Sequence, residues 1–257
     1  MSTSGPPSFP PPPPNLTPPP GYVGYEPTLA GAVPLQRVHK LRTALYVLLA
    51  AVAVGNVIVF ATTPAQVDAA REFIAGTIDE DTFTERQAGN AFAQLFVGAA
   101  TIAIVVLTMI WLHRIAKNHR TLGRRITWGP GWAIGGWFLP PVLYVIPTLT
   151  LREHWKAADP AVPPGDDRWR SGPEPVLVYV WFLLYSVIPV ALAIAGAATF
   201  LQAFGQDADD LADALVDTQA ISMISAAVTV AAAVAWFLVV RGLTDRHVAL
   251  TGETARR

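Results

Sequence analysis

Leu112-His113-Arg114-Ile115-Ala116-Lys117-Asn118-His119-Arg120-Thr121-Leu122-Gly123-Arg124-Arg125 joins two long apolar runs, Ala91 to Leu112 before it and Trp128 to Leu151 after it. Neither run holds a charged side chain, whereas the junction carries five cations, Arg114, Lys117, Arg120, Arg124 and Arg125, and no anion. An uncharged run of about 20 residues matches the hydrocarbon core of a bilayer. Clustered Lys and Arg beside such a run mark its cytoplasmic side. At helical spacing Trp111, Ile115, Asn118/His119 and Leu122 share one side, which predicts a helix that continues past the lipid to a stop at Gly123.

Composition agrees. The 257 residues are 52% hydrophobic and 14% charged, against about 25% charged in soluble domains. A net charge of −1 supports no global attraction to nucleic acid. The chain has no Cys, which excludes disulfides, thiolate nucleophiles and thiolate metal sites. The N-terminus lacks a basic region followed by a short apolar core, so no cleavable signal peptide is expected. The excess of Arg over Lys and the abundance of Ala fit a bacterial source.

Residues 1–36 are expected to be a disordered Pro-rich cytoplasmic tail. Residues 1–34 hold 12 of the 23 prolines, a composition that favours extended polyproline II and buries no core. A membrane domain follows over 37–246, and 247–257 form a short cytoplasmic tail. The expected spans are about 43–61, 91–112, 176–204 and 220–240. Ala51 and Gly55 give the first span a small face for close helix approach, and Pro189 is expected to kink the third. The connection Thr62–Asn90, with six acids and two cations, is read as an acidic loop containing a short helix near Pro64–Ile74. Asp207, Asp209, Asp210, Asp213 and Asp217 are read as a second acidic loop.

The run 128–151 is long enough to cross but holds Pro130, Pro140, Pro141 and Pro147 with Gly129, Gly131, Gly135 and Gly136. Interior prolines remove backbone hydrogen bonds that lipid cannot replace. If the run crossed, the five-aspartate loop would be cytoplasmic and the Arg-bearing C-terminus outside. If it dips or lies at the surface and returns, all basic loops lie on one side. The expected fold is therefore an all-α integral membrane protein with four transmembrane helices plus one Gly/Pro/Trp-rich re-entrant or interfacial segment. Gly135, Gly136, Pro140, Pro141 and Pro147 would form its break. Both termini would be cytoplasmic, in a bacterial inner membrane.

The pattern Trp111-x-x-Arg114-x-x-x-Asn118-x-x-x-Leu122-Gly123, then Trp128-x-Pro130-Gly131-Trp132 through Gly135-Gly136-Trp137-Phe138-Leu139-Pro140, then Pro147 and Arg152-Glu153-x-Trp155-x-Ala157, resembles a bacterial multi-span membrane family. It is catalogued as domain of unknown function 4328. The resemblance covers roughly Leu41 to Arg246. In the family pattern an Asn follows the Pro at 140 and a basic residue precedes the Pro at 147; here Leu143 and Ile146 hold those places. The family carries no assigned activity, so the resemblance bears on topology alone.

Buried ionisable groups mark ion-coupled transporters, and the apolar runs hold none. No nucleophile–base pairing or phosphate-binding glycine loop is present, so no enzyme is expected, and no cofactor. His113, His119 and His154 could converge on a metal, but no pair has the i, i+4 spacing of a helical zinc site; interfacial, solvated histidines are expected instead, with no metal. The five cations can reach anionic lipid headgroups. Trp128, Trp132, Trp137 and Trp155 are candidates for interface anchoring or partner contact. The expected partners are the bilayer, anionic headgroups, and a membrane protein or a second copy of the chain, without nucleic acid. The expected role is a scaffold or partner-binding module with a basic, aromatic cytoplasmic face. The alternative is a small channel or transporter with its path along 135–147.

Overall fold

The computed structural model describes residues 34–139, 144–203 and 207–253. The Pro-rich tail through residue 33, and Pro140 and Pro141 of the expected break, lie outside the described residues. Among the described residues there is no strand. The helices are α1 (His39–Ile74), α2 (Glu80–Thr121), α3 (Trp132–Gly135), α4 (Val145–Ala157), α5 (Val176–Phe182), α6 (Ile188–Ala203), α7 (Ala208–Asp217) and α8 (Gln219–Thr251). Four helical stretches are long and apolar enough to cross a membrane: α1, α2, residues Val176–Ala197, and α8. Their unpaired faces carry Val47, Phe92, Leu95, Ile102, Ile194 and Val234 to the outside, the arrangement expected when lipid is the solvent.

The helices outrun their lipid-facing parts. The first continues through Pro64 to Ile74 and the second begins at Glu80, so the connection read as the loop Thr62–Asn90 is helical except for a short turn. Pro64 lacks the amide that would bond one turn back, and the hydroxyls of Thr62 and Thr63 donate there to the carbonyls of Ile58 and Val59. Asp79 opens α2 by accepting from the Thr82 amide at 2.9 Å, a side-chain N-cap. The five-aspartate stretch is likewise helical: it forms α7, capped by Asp207. The short helix expected near Pro64–Ile74 is present as the last part of α1; what the two readings as loops miss, the start of α2 and all of α7, they miss for one reason. A charged, short amphipathic helix is stabilised by what it packs on, and charge alone does not reveal that. Here Ala212 of α7, Phe83 of α2, and Ala69 and Ala70 of α1 make a small second core, with Phe73 stacked on Phe83 at 4.8 Å.

The main core lies nearer the other end. Trp111, Trp181 and Trp236 meet there with Leu45, Leu112, Leu151 and Val239. Trp181 lies 4.5 Å from Trp236 and 4.8 Å from Tyr185, centroid to centroid. Gly55 is the close-approach point of the small face predicted on the first span: a Cβ there would overlap the Val97 side chain of α2. Between α5 and α6 the backbone widens to a π-turn over Leu183–Val187. It sits where the Pro189 ring would otherwise meet the Tyr185 carbonyl, so a widened turn is the local irregularity found beside Pro189.

Contacts also fix the path of the connection between the second and third spans. The chain leaves α2 at Leu122 and reaches α5 at Val176. Gly165 returns its amide to the Leu122 carbonyl at 3.0 Å, which brings residues 122 and 165 to one end of the bundle. This is the end where the α1 N-terminus and the α8 C-terminus meet, because Glu253 accepts from the amides of Val38 and His39. We call it the basic end, and the end carrying α7 the acidic end.

Candidate functional site

The basic end is a folded platform. Helix α2 closes with the Gly123 amide on Arg120 O and the Arg124 amide on His119 O, with Gly123 at φ +71. This is the Schellman geometry that glycine permits without strain. The reversal sends Arg124 inward rather than to solvent. Its guanidinium donates to four carbonyls of the following loop: Pro163 at 3.1 Å, Asp166 at 2.9 Å, Asp159 at 3.2 Å and Val162 at 2.5 Å. Burial pulls the Arg124 pKa down from its usual range, opposed by Asp159, Asp166 and Asp167. The planar fork matches this ring of acceptors, which an ammonium could not fill. Arg124 therefore shapes residues 159–166.

Helix α4 ties the next piece. Glu153 accepts from the amides of Thr127 and Trp128, each at 2.7 Å. One face of α4 presents Arg152 and Lys156 to Glu174, which also accepts from the Tyr179 hydroxyl at 2.9 Å. Arg152 and then Lys156 hold the Glu174 carboxyl well below the usual carboxylate range. Trp169 is buried under this network. Trp155 lies on the α8 backbone, where a Cβ at Gly242 would overlap its ring.

Residues 75–245 match the family described as Domain of unknown function (DUF4328). The chain belongs to this family. No curated protein and no solved structure gives a match. The match begins after α1, later than the start near Leu41 that the resemblance suggested.

In this DUF4328 chain the motif residues are largely structural. Trp111 donates its indole N–H to the Thr244 hydroxyl at 3.1 Å, and Arg114 donates to the Arg37 carbonyl at 2.9 Å. Asn118 clasps the chain before α1: its carbonyl accepts from the Gln36 amide at 2.7 Å and its amide donates to the Gln36 carbonyl at 2.8 Å. Of the five cations, Lys117 and Arg120 are exposed, and Arg120 lies over Gly129, where a Cβ would overlap it. Arg125 is exposed, 3.8 Å from Asp167. Arg124 departs from the headgroup role expected of it, because the αL turn at Gly123 buries it.

The tryptophans also divide. Trp132 is 41% exposed and meets Trp128 edge-on at 5.3 Å, as suits a boundary pair. Trp137 packs into the main core beside Tyr185, and Trp155 packs on α8. Neither of these two is an outward-facing anchor. Of the expected break, Gly136 is buried against Ile146 and Trp132, Gly135 is half-buried, and Pro147 sits buried in the first turn of α4, where its missing amide is no loss. Trp137, Trp181, Tyr185, Trp236, Thr108 and Thr229 wall a cavity of about 120 Å³. The wall is almost wholly apolar, so the cavity offers a ligand shape without polar recognition.

The histidines differ most from expectation. His119, His154 and His247 are fully buried and adjacent, whereas His113 points elsewhere, with Nδ1 2.9 Å from the Pro130 carbonyl. His119 Nδ1 lies 3.0 Å from His154 Nδ1, His119 Nε2 lies 3.4 Å from His247 Nδ1, and His247 Nε2 lies 2.9 Å from Asn118 Nδ2. His119 turns opposite nitrogens to its two neighbours, so the rings form a chain rather than a chelate. Among the described residues no group of three metal-ligating side chains is placed around one ion. Burial, then the neighbouring His247, pushes the His154 pKa down to about 3. His119 and His247 are 128 positions apart, and no local spacing announces their meeting; a polar residue on the buried side of a predicted helix, as at Asn118/His119, is the available signal.

Proposed function

We propose that this protein is a non-enzymatic, four-span module of a bacterial inner membrane that presents a preformed platform, residues 122–175, on the cytoplasmic side. The single observation that carries this reading is the four-carbonyl grip of Arg124. Ordering a connection of this length costs about 1–2 kcal/mol per residue in backbone entropy, and a segment so held suits a docking surface better than a spacer. Segment 128–151 enters the lipid boundary and leaves by the same face; the packing of Trp137 among α2, α5 and α8 supports this. The orientation follows from charge. Arg37, Lys40, Lys117 and Arg120 are exposed at the basic end without an acidic partner among the described residues. At the acidic end Arg71 and Arg86 pair with Asp68 and Glu72. Unpaired cations near a membrane surface contribute about 1 kcal/mol each toward anionic lipid.

The platform's partner is a membrane protein or a second copy of the chain. In-membrane crosslinking and pull-down with wild type and a variant lacking 124–170 tests the reading. Loss of the recovered partner with insertion intact supports it, and an unchanged partner set refutes it. Native mass spectrometry with mixed phosphatidylglycerol and phosphatidylethanolamine tests the basic face: Lys117→Gln with Arg120→Gln should lower phosphatidylglycerol retention several-fold. The channel alternative draws its support from the cavity beside Trp137. It predicts solute flux in liposomes that changes on Gly135→Leu substitution.

A further inference from the structure

The buried chain has only one hydrogen-bonding pattern. Gln36 presents a backbone N–H and a carbonyl to Asn118, which fixes the amide with its oxygen toward the first and its nitrogen toward the second. The Asn118 NH2 can only donate, so His247 Nε2 accepts. Neutral His247 then carries its proton on Nδ1 and donates to His119 Nε2. Neutral His119 carries its proton on Nδ1 and donates to His154 Nδ1. The network thus assigns every tautomer. Each ring lone pair is already used, and the chain has no vacant acceptor.

An added proton therefore finds no place in the intact chain. On His247 Nε2 it would face the Asn118 NH2. On His119 Nε2 it would face the His247 N–H, and turning that tautomer moves the clash to Asn118. On His154 Nδ1 it would reverse both preceding bonds and reach Asn118 again. Flipping Asn118 would set N–H against N–H and oxygen against oxygen at Gln36. We propose that Asn118, His247, His119 and His154 form a proton-operated latch, in which uptake of one proton anywhere must break a link joining α2, α4, α8 and the segment before α1. The latch does not depend on what the platform binds.

The charged side chains of every element packed around it are engaged elsewhere or lie outside it. Arg124, on the loop after α2, is held by carbonyls, and its charge disfavours a second cation at His119. Lys117 and Arg120 of α2 are exposed, and Arg114 donates to Arg37. On α4, Glu153 holds the Thr127 and Trp128 amides, and Arg152 and Lys156 hold Glu174. On α8, Asp245 pairs with Arg42 and Arg241, and Arg246 with Asp159. Glu253 caps α1 beside His39, which meets Arg42, while Arg37 and Lys40 are exposed. No carboxylate takes part in the chain to welcome an imidazolium. Once opened, three imidazoles regain ordinary basicity near pH 6.5. Below that pH the open population should rise by between about tenfold and a thousandfold per unit, as one to three protons are taken up.

Hydrogen exchange by mass spectrometry on the full chain in nanodiscs, between pH 7.5 and 5.0 and corrected for intrinsic exchange, tests the latch. Peptides holding Gln36, Asn118, His154 and His247 should lose protection together, while the Phe83–Ala212 core keeps its own. His154→Asn retains an acceptor for His119 but cannot titrate, so its profile should be shallower by up to about tenfold per unit. Below pH 6, a wild-type response shallower than tenfold per unit, equal loosening of the Phe83–Ala212 core, or a His154→Asn profile steeper than wild type would each overturn the proposal. Should that variant fail to fold, the wild-type slope decides.

Discussion

The two ends of the bundle solve the same problem with different means. At the acidic end, α1 passes to α2 through a short turn, and α7 lies over them on four small or aromatic side chains, Ala69, Ala70, Phe83 and Ala212. Its surface charges pair loosely: Arg71–Asp68 and Arg86–Glu72 are about half exposed. At the basic end a 54-residue connection, from Leu122 to Pro175, is tied by buried polar groups: Arg124 on four carbonyls, Glu153 on two amides, Asn118 on Gln36. Apolar packing tolerates change in proportion to volume lost, whereas a buried polar group that loses its partner keeps its full desolvation cost. The basic end should therefore be the more brittle.

That contrast can be broken in order of expected size. Arg124→Ala strips four carbonyls of their donor and should cost about 3–5 kcal/mol of unfolding stability, with Arg124→Lys recovering little. Thermal unfolding in detergent checks this, and a loss under 1 kcal/mol would mean that the platform does not need its cage. Phe83→Ala at the acidic end should cost about 3 kcal/mol, and it should leave crosslinks to the platform unchanged. Between pH 7.5 and 5.0 acidification acts chiefly on the basic end, since the Thr82 hydrogen bonds hold Asp79 at the acidic end below the usual carboxylate range. His154, at about 3 when folded and near 6.5 when unfolded, contributes stability that is complete above pH 6.5. That contribution is lost as pH falls toward 3, because the unfolded state then binds the extra proton. From pH 7.5 to 5.0 the loss from this residue is about 2 kcal/mol, measurable as a falling denaturation midpoint that His154→Asn should blunt. Asp79→Ala removes the N-cap of α2 and should lower the denaturation midpoint by less than Phe83→Ala does. Arg86→Ala, breaking an exposed pair, should change stability by under about 0.5 kcal/mol.

The same division governs what could be read in the sequence. The four spans, the run of α2 to its stop at Gly123 and the family were legible because they rest on local signals: uncharged length, helical spacing, an αL glycine. Helix α7 and the first turns of α2 are hidden by their charge, since their apolar partners come from different parts of the chain, whereas the helix near Pro64–Ile74 is legible. The role of Arg124 was unreadable, because its acceptors are carbonyls 35 to 42 positions away and every residue type has a carbonyl. Glycine gives a partial hint: Gly123 reads as a stop, but that the turn aims the next side chain inward follows only once Gly165 approaches it. His247 stood in what read as a short tail. Its pairing with Asn118 depends on α8 continuing straight to Gly252, which terminates it at φ +65.

Membrane sidedness tests the central claim most directly. Single cysteines at Ala161, on the platform, and Asp213, on α7, can be labelled in oriented vesicles with a membrane-impermeant thiol reagent, free of native cysteine background. Ala161→Cys is expected to react only from the cytoplasmic face and Asp213→Cys only from the opposite one. Labelling of both from the same face would contradict that claim.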